Sequence, residues 1–347
     1  MPKKVFISPL DWGLGHATRC VPVIKEILKA GHEVILGITP LTATILKEEF
    51  PDLKTVDVPE CNIQYSSKLP VWATIILDYP RLKKLVNTEQ DWIKQFVEEY
   101  APDVIISDSR YGFYSENAKN IFITHQLWIK APFFETRANM INHSFLKNFQ
   151  EIWVPDFENE KINLSGELAH GLKPNINIKY IQPLSRLALK ADQAIHSYEV
   201  LFLLSGPEPK RTQLESEILN YVNTEPGNFC IVRGTKITSP DLNRKGLKVI
   251  DMPAKNELEE LISASRSVLC RSGYSSLMDL YSLNKNIFII PTPGQTEQEY
   301  LADHLNGKFG FKKINKVHDM KEFSLGYNLG NYNSEETGNF FKAIASL

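Results

Sequence analysis

The chain has 347 residues, a formal net charge of −2 and 43% hydrophobic residues. That length allows two hydrophobic cores of ordinary size, and the balanced charge does not favour nucleic acid as a partner. The first apolar run is too short for a signal peptide or a membrane span. The chain has four cysteines and no C-x-x-C pair, which is typical of a reducing compartment. The sequence therefore predicts a cytoplasmic protein, and it leaves open peripheral contact with the inner face of a membrane.

Short apolar runs alternate with helical patterns along the chain. After the first run, apolar residues at helical spacing predict a helix that ends at Gly31. The predicted strands are Val5–Leu10, Glu33–Ile38, Asp103–Ser107, Asn120–Thr124, Glu151–Pro155, Lys179–Ile181, Val200–Leu204, Phe229–Val232, Lys248–Asp251, Ser267–Cys270 and Ile287–Ile290. Helices are predicted between them, at Asn256–Arg266 and Ser275–Asn284 among other places. The alternation occurs twice and predicts two doubly wound α/β domains.

The sequence also predicts where the domains divide. An N-terminal Rossmann-like domain is predicted at 1–184, a linker at 185–198 and a C-terminal Rossmann-like domain at 199–347. The final helical pattern, Glu335–Leu347, has Phe340, Phe341, Ile344 and Leu347 on one side and must pack on one of the two domains. Packing against either domain remains open. The two domains are expected to face each other across a cleft.

A glycine-rich turn follows the first predicted strand. Gly13, Gly15 and His16 stand where this strand passes into a helix, at the end of the strand where α/β proteins bind ligands. A helix N-terminus lowers the pKa of an imidazole and favours its neutral form. We therefore predict His16 as a general base, with Asp108 at the end of another strand as the alternative base. His125 also ends a predicted strand, and its role stays open between a ligand contact and a structural histidine.

A second turn of this kind lies near the other end of the chain. Small residues connect the strand that ends at Cys270 to a helix, in the stretch Arg271-Ser272-Gly273-Tyr274-Ser275-Ser276. Free backbone N–H groups and the positive end of a helix dipole at such a turn suit a phosphate group. Asp279 lies roughly one helical turn further on and is a candidate for hydrogen bonds to a ribose. Arg233 ends another predicted strand and is a further candidate for a phosphate.

Several common sites are disfavoured by their missing motifs. Thr18 replaces the third glycine of a dinucleotide-binding loop, and no acidic residue ends the second strand. The chain has neither a P-loop nor an Asp-x-Asp pair, and its histidines show no zinc-binding spacing. The sequence thus predicts no redox cofactor and no bound metal.

Four groups of residues resemble family 28 glycosyltransferases. Arg271-Ser272-Gly273, Asp279, Ile289-Ile290-Pro291, Gln298-Glu299-Tyr300 and Ala302-Asp303 are similar to the C-terminal signature of that family. Gly13-Leu14-Gly15-His16 resembles its glycine-rich loop, and Thr124-His125-Gln126 resembles a second N-terminal motif. Tyr180–Arg186 is similar to the segment before its linker. The resemblance implies the GT-B fold, in which the N-terminal Rossmann-like domain binds the acceptor and the C-terminal one binds the nucleotide sugar. It also implies transfer of a sugar from a UDP-sugar without a metal held by Asp-x-Asp.

The resemblance also implies roles for individual residues. By position, Arg271 to Ser276 lie against the diphosphate, including Ser272, Gly273 and Ser275, and Asp279 binds the ribose where the family usually has Glu. Met252 and Pro253 lie beside the uracil, and Ser205 and Gly206 line the cleft. Gln298 and Glu299 hold the sugar hydroxyls. The family favours an inverting single displacement onto a hydroxyl acceptor, such as a lipid-linked or polysaccharide precursor of the cell envelope.

Two other functions stay open at this point. Gly13-x-Gly15-His16-Ala17-Thr18-Arg19 also resembles the loop of the UDP-sugar hydrolase of pseudaminic acid synthesis, in which water replaces the acceptor. The second alternative is a non-catalytic subunit of a two-component glycosyltransferase. In addition, apolar residues followed by basic ones between Lys68 and Leu85 suit either a lipid-linked acceptor or a core helix with a solvated basic end.

Overall fold

The computed structural model describes residues 1–61, 79–171, 175–189, 196–235, 245–283, 285–322 and 338–347. The chain forms two compact units. The first comprises Met1–Arg186 with Ser334–Leu347, and the second comprises Leu187–Asn333. Each unit is built on its own parallel sheet, so the prediction of two doubly wound α/β domains is confirmed.

The first unit has a seven-stranded sheet. Its strands are β1 (Lys4–Pro9), β2 (Glu33–Ile38), β3 (Lys54–Asp57), β4 (Val104–Asp108), β5 (Lys119–Ile123), β6 (Glu151–Val154) and β7 (Ile178–Tyr180). Its helices are α1 (Leu14–Lys29), α2 (Pro40–Glu49), α3 (Tyr79–Tyr100), α4 (Glu135–Leu146) and α5 (Glu167–His170). The strand order is β3-β2-β1-β4-β5-β6-β7, and neighbouring strands pair in parallel. The order reverses between β1 and β4, which is where α/β sheets bind ligands.

Apolar side chains cover both faces of this sheet, as the uninterrupted apolar runs of its central strands predict. On one face Phe6 of β1 contacts Trp92 and Phe96 of α3, with ring centroids 5.7 and 4.4 Å apart. On another part of the sheet Phe122 packs against Phe149, at 4.7 Å between centroids. These aromatic contacts fix α3 and the segment that follows α4 against the strands whose ends carry the candidate site.

The second unit has a six-stranded sheet. Its strands are β8 (Tyr198–Leu203), β9 (Phe229–Val232), β10 (Leu247–Ile250), β11 (Ser265–Arg271), β12 (Asn286–Ile290) and β13 (Phe311–Lys313). Its helices are α6 (Lys210–Thr224), α7 (Lys255–Ser263), α8 (Tyr274–Leu280) and α9 (Thr296–Leu305), followed by a 3₁₀ helix at Val317–Glu322. The strand order is β10-β9-β8-β11-β12-β13, and the neighbouring strands again pair in parallel. Cys230 and Cys270 are fully buried within it, as their apolar runs predict.

The last described helix, α10 (Gly338–Ala345), belongs to the first unit. The sequence left open which domain this helix packs on, and the structure assigns the helix to the first unit. The second unit therefore does not extend to residue 347, where the predicted C-terminal domain ended. Phe340, Ile344 and Leu347 are buried. Phe341 is 50% exposed and lies under the ammonium of Lys29, so its predicted place on the buried side was wrong. A helix advances about 100° per residue, so Phe341 points away from the face on which its neighbour Phe340 packs.

Two edge strands were missed from the sequence. β3 and β13 consist of Lys-Thr-Val-Asp and Phe-Lys-Lys, which contain no apolar run. Each lies at the edge of its sheet, where only one side pairs with a neighbour and charged residues are common. The basic and apolar stretch that begins at Lys68 lies mostly outside the described residues. Among the described residues, no helix combines the length and the apolar character needed to cross a membrane.

One glycine of the second unit allows two loops to approach each other closely. Gly234 follows β9 with φ +66, and a Cβ atom there would lie 2.4 Å from the carbonyl oxygen of Leu204. We expect Gly234→Ala to lower the free energy of unfolding by about 2–4 kcal/mol, because it combines backbone strain with a clash against main chain. Urea unfolding followed by circular dichroism measures this loss.

Gly307→Ala is the matched control. Gly307 has a similar positive φ of +84, but nothing lies within 4 Å of a Cβ atom placed there. We expect a loss of about 1 kcal/mol from strain alone. Equal losses for the two variants would contradict the role given to the Leu204 carbonyl.

Candidate active site

The candidate site of the first unit lies at the carboxyl ends of its central strands. β1 and β4 pair directly, with Pro9 opposite Asp108, and β5 ends beside β4 at Ile123. The chain leaves β1 through a short loop and enters α1 at Leu14, with Gly13 as N-cap at φ 130°. Few residues other than glycine adopt that conformation. The tight turn therefore brings the first turn of α1, which carries His16, to the end of β4.

His16, Arg19 and Asp108 form one hydrogen-bonded group. Nδ1 of His16 lies 2.7 Å from Oδ1 of Asp108. Arg19 follows one helical turn later, and its guanidinium binds both oxygens of Asp108, with Nε 2.5 Å from Oδ2 and Nη2 bonded to Oδ1. Asp108 and Arg19 are buried, whereas the His16 side chain keeps 21% of its surface exposed. Of the three side chains, only His16 thus reaches the surface.

The contacts of Nδ1 are the basis for assigning the proton of His16. This atom lies 2.7 Å from Oδ1 of Asp108 and 2.9 Å from Nη2 of Arg19. A carboxylate oxygen only accepts hydrogen bonds, and Nη2 already donates to the same carboxylate, so we assign the proton to Nδ1 and the lone pair of the neutral ring to Nε2. Burial and the positive charge of Arg19 lower the pKa of His16 below its usual value of 6.5, against the opposing effect of Asp108. The histidine is therefore neutral at pH 7, which is the form a general base requires.

Asp108 is not placed to act as a base itself. Burial alone would raise its pKa, but Arg19 and His16 lower it well below its usual range. Both oxygens are bonded within the protein, and the residue has no exposed surface. The alternative prediction of Asp108 as base is therefore wrong for this geometry: the residue orients His16 and holds its tautomer.

His125 joins the same group from the end of β5. Its Nδ1 lies 3.3 Å from Nη1 of Arg19. Because a guanidinium only donates, Nδ1 of His125 accepts, and the proton of this ring is on Nε2. His125 thus has the opposite tautomer to His16. Nε2 of His125 is a hydrogen-bond donor, whereas Nε2 of His16 is an acceptor. Of the two roles that the sequence left open for His125, the contact with Arg19 supports membership of the site.

A buried ion pair that the sequence did not reveal supports these loops. Arg110, two residues after Asp108, is almost fully buried, and its Nε lies 3.0 Å from Oε1 of Glu89 on α3. Its Nη1 lies 4.0 Å from Asp11 in the loop that leads to His16, and its Nη2 donates to the carbonyl of Pro59. The guanidinium also stacks on Phe113, 4.5 Å from the ring centroid. Three loops at the carboxyl edge are thus connected through one side chain.

In the second unit, Arg271 is part of the interior. Its Nη1 donates to the carbonyl of Pro291 at 2.8 Å and its Nη2 to that of Lys210 at 3.1 Å. Burial lowers its pKa to about 10. The side chain is only 5% exposed, so the structure does not place the guanidinium against an open phosphate position. Arg271 instead ties the end of β12 to the start of α6, which corrects its predicted role.

The rest of the predicted phosphate turn falls into a buried and a partly exposed part. Ser272 is fully buried, and its hydroxyl donates to the carbonyl of Gln298 at 2.7 Å. Gly273 is the N-cap of α8, and Ser275 and Ser276 are partly exposed in its first turn. Asp279, on the same helix, is also partly exposed. The turn therefore retains the partly exposed hydroxyls of Ser275 and Ser276.

Gln298 and Glu299 hold the loop that follows β12. Oε1 of Gln298 accepts the N–H of Thr292 at 2.9 Å, and its Nε2 donates to Gln295 at 2.5 Å. Oε1 of Glu299 accepts the N–H of Gly294, also at 2.9 Å. Both side chains are partly exposed. In this structure they shape the loop itself, and their contact with sugar hydroxyls stays a prediction.

Arg233 is held by carboxylates. It is 4% exposed, its Nε lies 2.5 Å from Glu215, and its Nη1 lies 2.7 Å from Asp251. This ion-pair network corrects the prediction that Arg233 reaches a phosphate. Gly206 is exposed at φ +100, and Ser205 beside it is partly exposed, as a ligand-binding loop after β8 requires. Met252 is 40% exposed.

Within the described residues, no cluster of three or more His, Cys, Asp or Glu side chains is arranged to hold a metal ion. The carboxylate of Asp108 is already neutralised by Arg19, so it is not an open ligand. The cysteine nearest to it, Cys20, is buried with its Sγ 3.5 Å from Oδ2 of Asp108. Burial raises the pKa of this thiol well above its usual value.

The sequence was compared with known proteins. No protein-family model matches the chain. An uncharacterized glycosyltransferase of Methanosarcina acetivorans is 24% identical over 321 residues, which cover 85% of this chain and 81% of the relative. A second uncharacterized glycosyltransferase, from Methanosarcina mazei, is 23% identical over 328 residues, with the same coverage. The similarity spans both units of the chain.

Solved structures resemble the chain over nearly its full length. A spinosyn rhamnosyltransferase superposes with a TM-score of 0.60 at 14% identity, covering 99% of this chain and 91% of that one. A UDP-glucosyltransferase from Polygonum tinctorium gives a TM-score of 0.61 at 12% identity, covering 100% and 93%. The GT-B fold is therefore confirmed. Both relatives are named glycosyltransferases, and at that level the prediction of a glycosyltransferase is confirmed.

Proposed function

We propose that this chain transfers a sugar from a UDP-sugar to a hydroxyl group of an acceptor, with inversion at the anomeric carbon and without a metal. The observation that carries the proposal is the His16–Asp108 pair, in which a neutral histidine is oriented by a buried carboxylate. Of the sites described, this one offers a base with a free lone pair. That pattern is what activation of a hydroxyl requires.

The proposed reaction is a single displacement. Nε2 of His16 takes the proton of the acceptor hydroxyl as its oxygen forms a bond to the anomeric carbon. The bond from that carbon to the diphosphate oxygen breaks on the opposite face, and UDP leaves with the electron pair. The positive charge that develops on His16 is stabilised by the adjacent Asp108 carboxylate.

The donor is assigned from the second unit and from the neighbours. Ser205, Gly206, Ser275 and Ser276 offer partly or fully exposed polar groups at the carboxyl ends of β8 and β11. One structural neighbour was solved with UDP-L-rhamnose and another with thymidine diphosphate, both pyrimidine nucleotides. These matches support a nucleoside diphosphate sugar. We assign UDP, uracil contact by Met252, ribose contact by Asp279 and family 28 membership from the sequence resemblance. The resemblance alone also implies a lipid-linked or polysaccharide acceptor, but the His16–Asp108 pair requires only that the acceptor carry a hydroxyl group.

A UDP-sugar hydrolase is the second candidate, and Arg19 favours it. The G-x-G-H-x-x-R pattern of that hydrolase includes an arginine at this position, and in this chain Arg19 binds Asp108, His125 and Ser109 beside the proposed base. The same base would then activate water. The oriented histidine argues against the third alternative, a non-catalytic subunit.

One assay separates these functions. We expect pure protein to release UDP from a UDP-sugar only when an acceptor alcohol is present, and to do so equally in excess EDTA and in added magnesium. The reason for the second expectation is that the chain lacks an Asp-x-Asp pair, and that backbone N–H groups at a helix start supply a positive field for the leaving diphosphate. UDP release is followed with a coupled assay across a panel of UDP-sugars.

Each outcome has one meaning. UDP release without acceptor identifies the hydrolase. Strict dependence on magnesium or manganese would refute the metal-free mechanism. No release from any UDP-sugar, together with release from a thymidine diphosphate sugar, would replace UDP as the donor nucleotide and leave the role of His16 intact.

A further inference from the structure

The segment after β5 carries an unusually exposed apolar surface. Phe133 and Phe134 are each 67% exposed, and Met140 is 69% exposed. Single exposed apolar residues are ordinary, but three large ones within eight residues mark a binding surface. Together with Trp128, which is partly exposed, these residues are named the α4 surface.

A small cavity opens on this surface. It has a volume of about 270 Å³ and is lined by Trp128, Glu135, Thr136, Asn139, Met140 and His143. Trp128 meets the ring of His143 edge-on, with centroids 4.5 Å apart. A cavity of this volume accommodates one or two rings of a small molecule and is too small for a helix of a partner protein.

Hydrogen bonds hold the walls of the cavity in place. Oδ1 of the buried Asn139 accepts the N–H of Ile129 at 2.7 Å, and its Nδ2 donates to the carbonyl of Ile129 at 3.0 Å. Nε2 of His143 and Nδ2 of Asn142 both donate to the carbonyl of Leu127, at 2.9 and 3.1 Å. Helix α4 is therefore fixed to the loop that leaves β5, and the cavity is preformed.

The same loop carries His125. Only two residues lie between His125 and Trp128, so their Cα atoms are at most about 11 Å apart. His125 is bonded to Arg19, which also binds the base-orienting Asp108. The α4 surface is thus continuous with the candidate active site through a short and hydrogen-bonded stretch of chain. The stretch from His125 to Trp128 is thus short enough for one molecule to contact both the His125 end of the candidate site and the α4 surface.

We propose that the α4 surface binds the apolar ring system of the acceptor, so that the acceptor is an aromatic or alicyclic alcohol rather than a sugar polymer. This inference rests on the proposed function. The charges around the surface are mixed, since Lys130 pairs with Glu167 at 2.5 Å and Glu135 lies in the cavity wall. Such a pattern suits an uncharged ligand better than an anionic lipid surface.

The test uses the full chain and 4-methylumbelliferone, a fluorescent phenol, as the probe. Binding is measured by fluorescence anisotropy for the wild type, Met140→Ser, Phe134→Ser and the double variant. We expect saturable binding by the wild type and a loss of about tenfold or more in affinity for the double variant, because two large apolar side chains are removed from the contact. Leu41→Ser is the matched control, because Leu41 is also exposed (40%) in the first unit but lies on α2.

Several results would overturn the inference. These are no saturable binding of the phenol, equal binding by the wild type and the double variant, or equal competition by methyl glucoside. Two further results would identify another occupant and so also contradict the inference. Cosedimentation of the wild type with phosphatidylglycerol vesicles, lost in the double variant, would identify a lipid surface. A wild-type dimer that the double variant does not form would identify a second copy of the chain. UDP release is assayed separately. Transfer to polar acceptors alone would refute the inference but leave the proposed function intact. The absence of transfer to any acceptor would refute the proposed function itself.

Discussion

Replacing His16 with alanine is expected to reduce turnover by roughly 10²–10⁴-fold and to leave the affinity for the donor unchanged. His16 is the partly exposed member of the group that it forms with Arg19 and Asp108, and its Nε2 carries the free lone pair. The hydroxyl proton would have no acceptor in the variant. Steady-state kinetics gives the turnover, and calorimetric titration with UDP gives the affinity.

The pH profile provides a second readout of the same residue. The base is active when neutral, and burial together with Arg19 lowers its pKa below 6.5. Turnover should therefore be constant around pH 7 and fall only as the pH drops through the lowered pKa of His16. Arg19→Met removes the positive charge that is one of the causes of this lowered pKa, so the acidic limb should move to higher pH.

His32→Ala is the matched control for the histidine substitution. His32 lies in the first unit, and its Nδ1 accepts the N–H of Lys3 at 3.1 Å, away from the carboxyl edge of the sheet. We expect normal turnover in this variant. Near-normal turnover in His16→Ala, in the presence of an acceptor, would remove His16 from the role of base.

Replacing Asp108 with asparagine is expected to have two large effects. The amide can present its NH₂ group to Nδ1 of His16, which favours the wrong tautomer, so turnover should fall by about 10²-fold or more. The buried guanidinium of Arg19 loses its charged partner, which should lower the free energy of unfolding by about 3–5 kcal/mol. Kinetics and urea unfolding measure the two effects on the same preparation.

Asp103→Asn is the control for this substitution. Asp103 directly precedes the same strand, at its amino end, and accepts the N–H of Lys4 at 2.8 Å near the surface. We expect normal turnover and a loss of stability under about 1 kcal/mol. A stable but inactive Asp108→Asn protein would separate the effect on the tautomer from the effect on folding.

Much of the fold was predictable because buried parallel strands leave a simple signal. The run around Val5 and the run Phe229–Val232 are apolar on both faces, and the structure has strands at both places. The helices of polar sequence were less predictable, since α6 has only a weak apolar stripe. How well an element can be predicted from its sequence pattern thus depends on how completely the element is buried.

The site was predictable in part for a similar reason. His16 and Asp108 were found because each follows an apolar strand, and parallel strands end at one edge of a sheet. Their roles were not predictable, because the contacts among Asp108, Arg19 and His125 connect residues far apart in sequence. Arg233 and Arg271 were mistaken for phosphate ligands because a strand-end arginine looks the same in sequence whether it binds a ligand or the protein's own carboxylates and carbonyls.

The membership of α10 in the first unit changes how the two units are connected along the chain. Both Met1 and Leu347 belong to the first unit, so the second unit is an insertion within the sequence of the first. Lys119 and Lys179 donate to the carbonyl and the hydroxyl of Ser346, each at 2.8 Å. Trimming the chain at its C-terminal end would therefore damage the unit that contains His16. A fragment that ends near Arg186 lacks part of its own core.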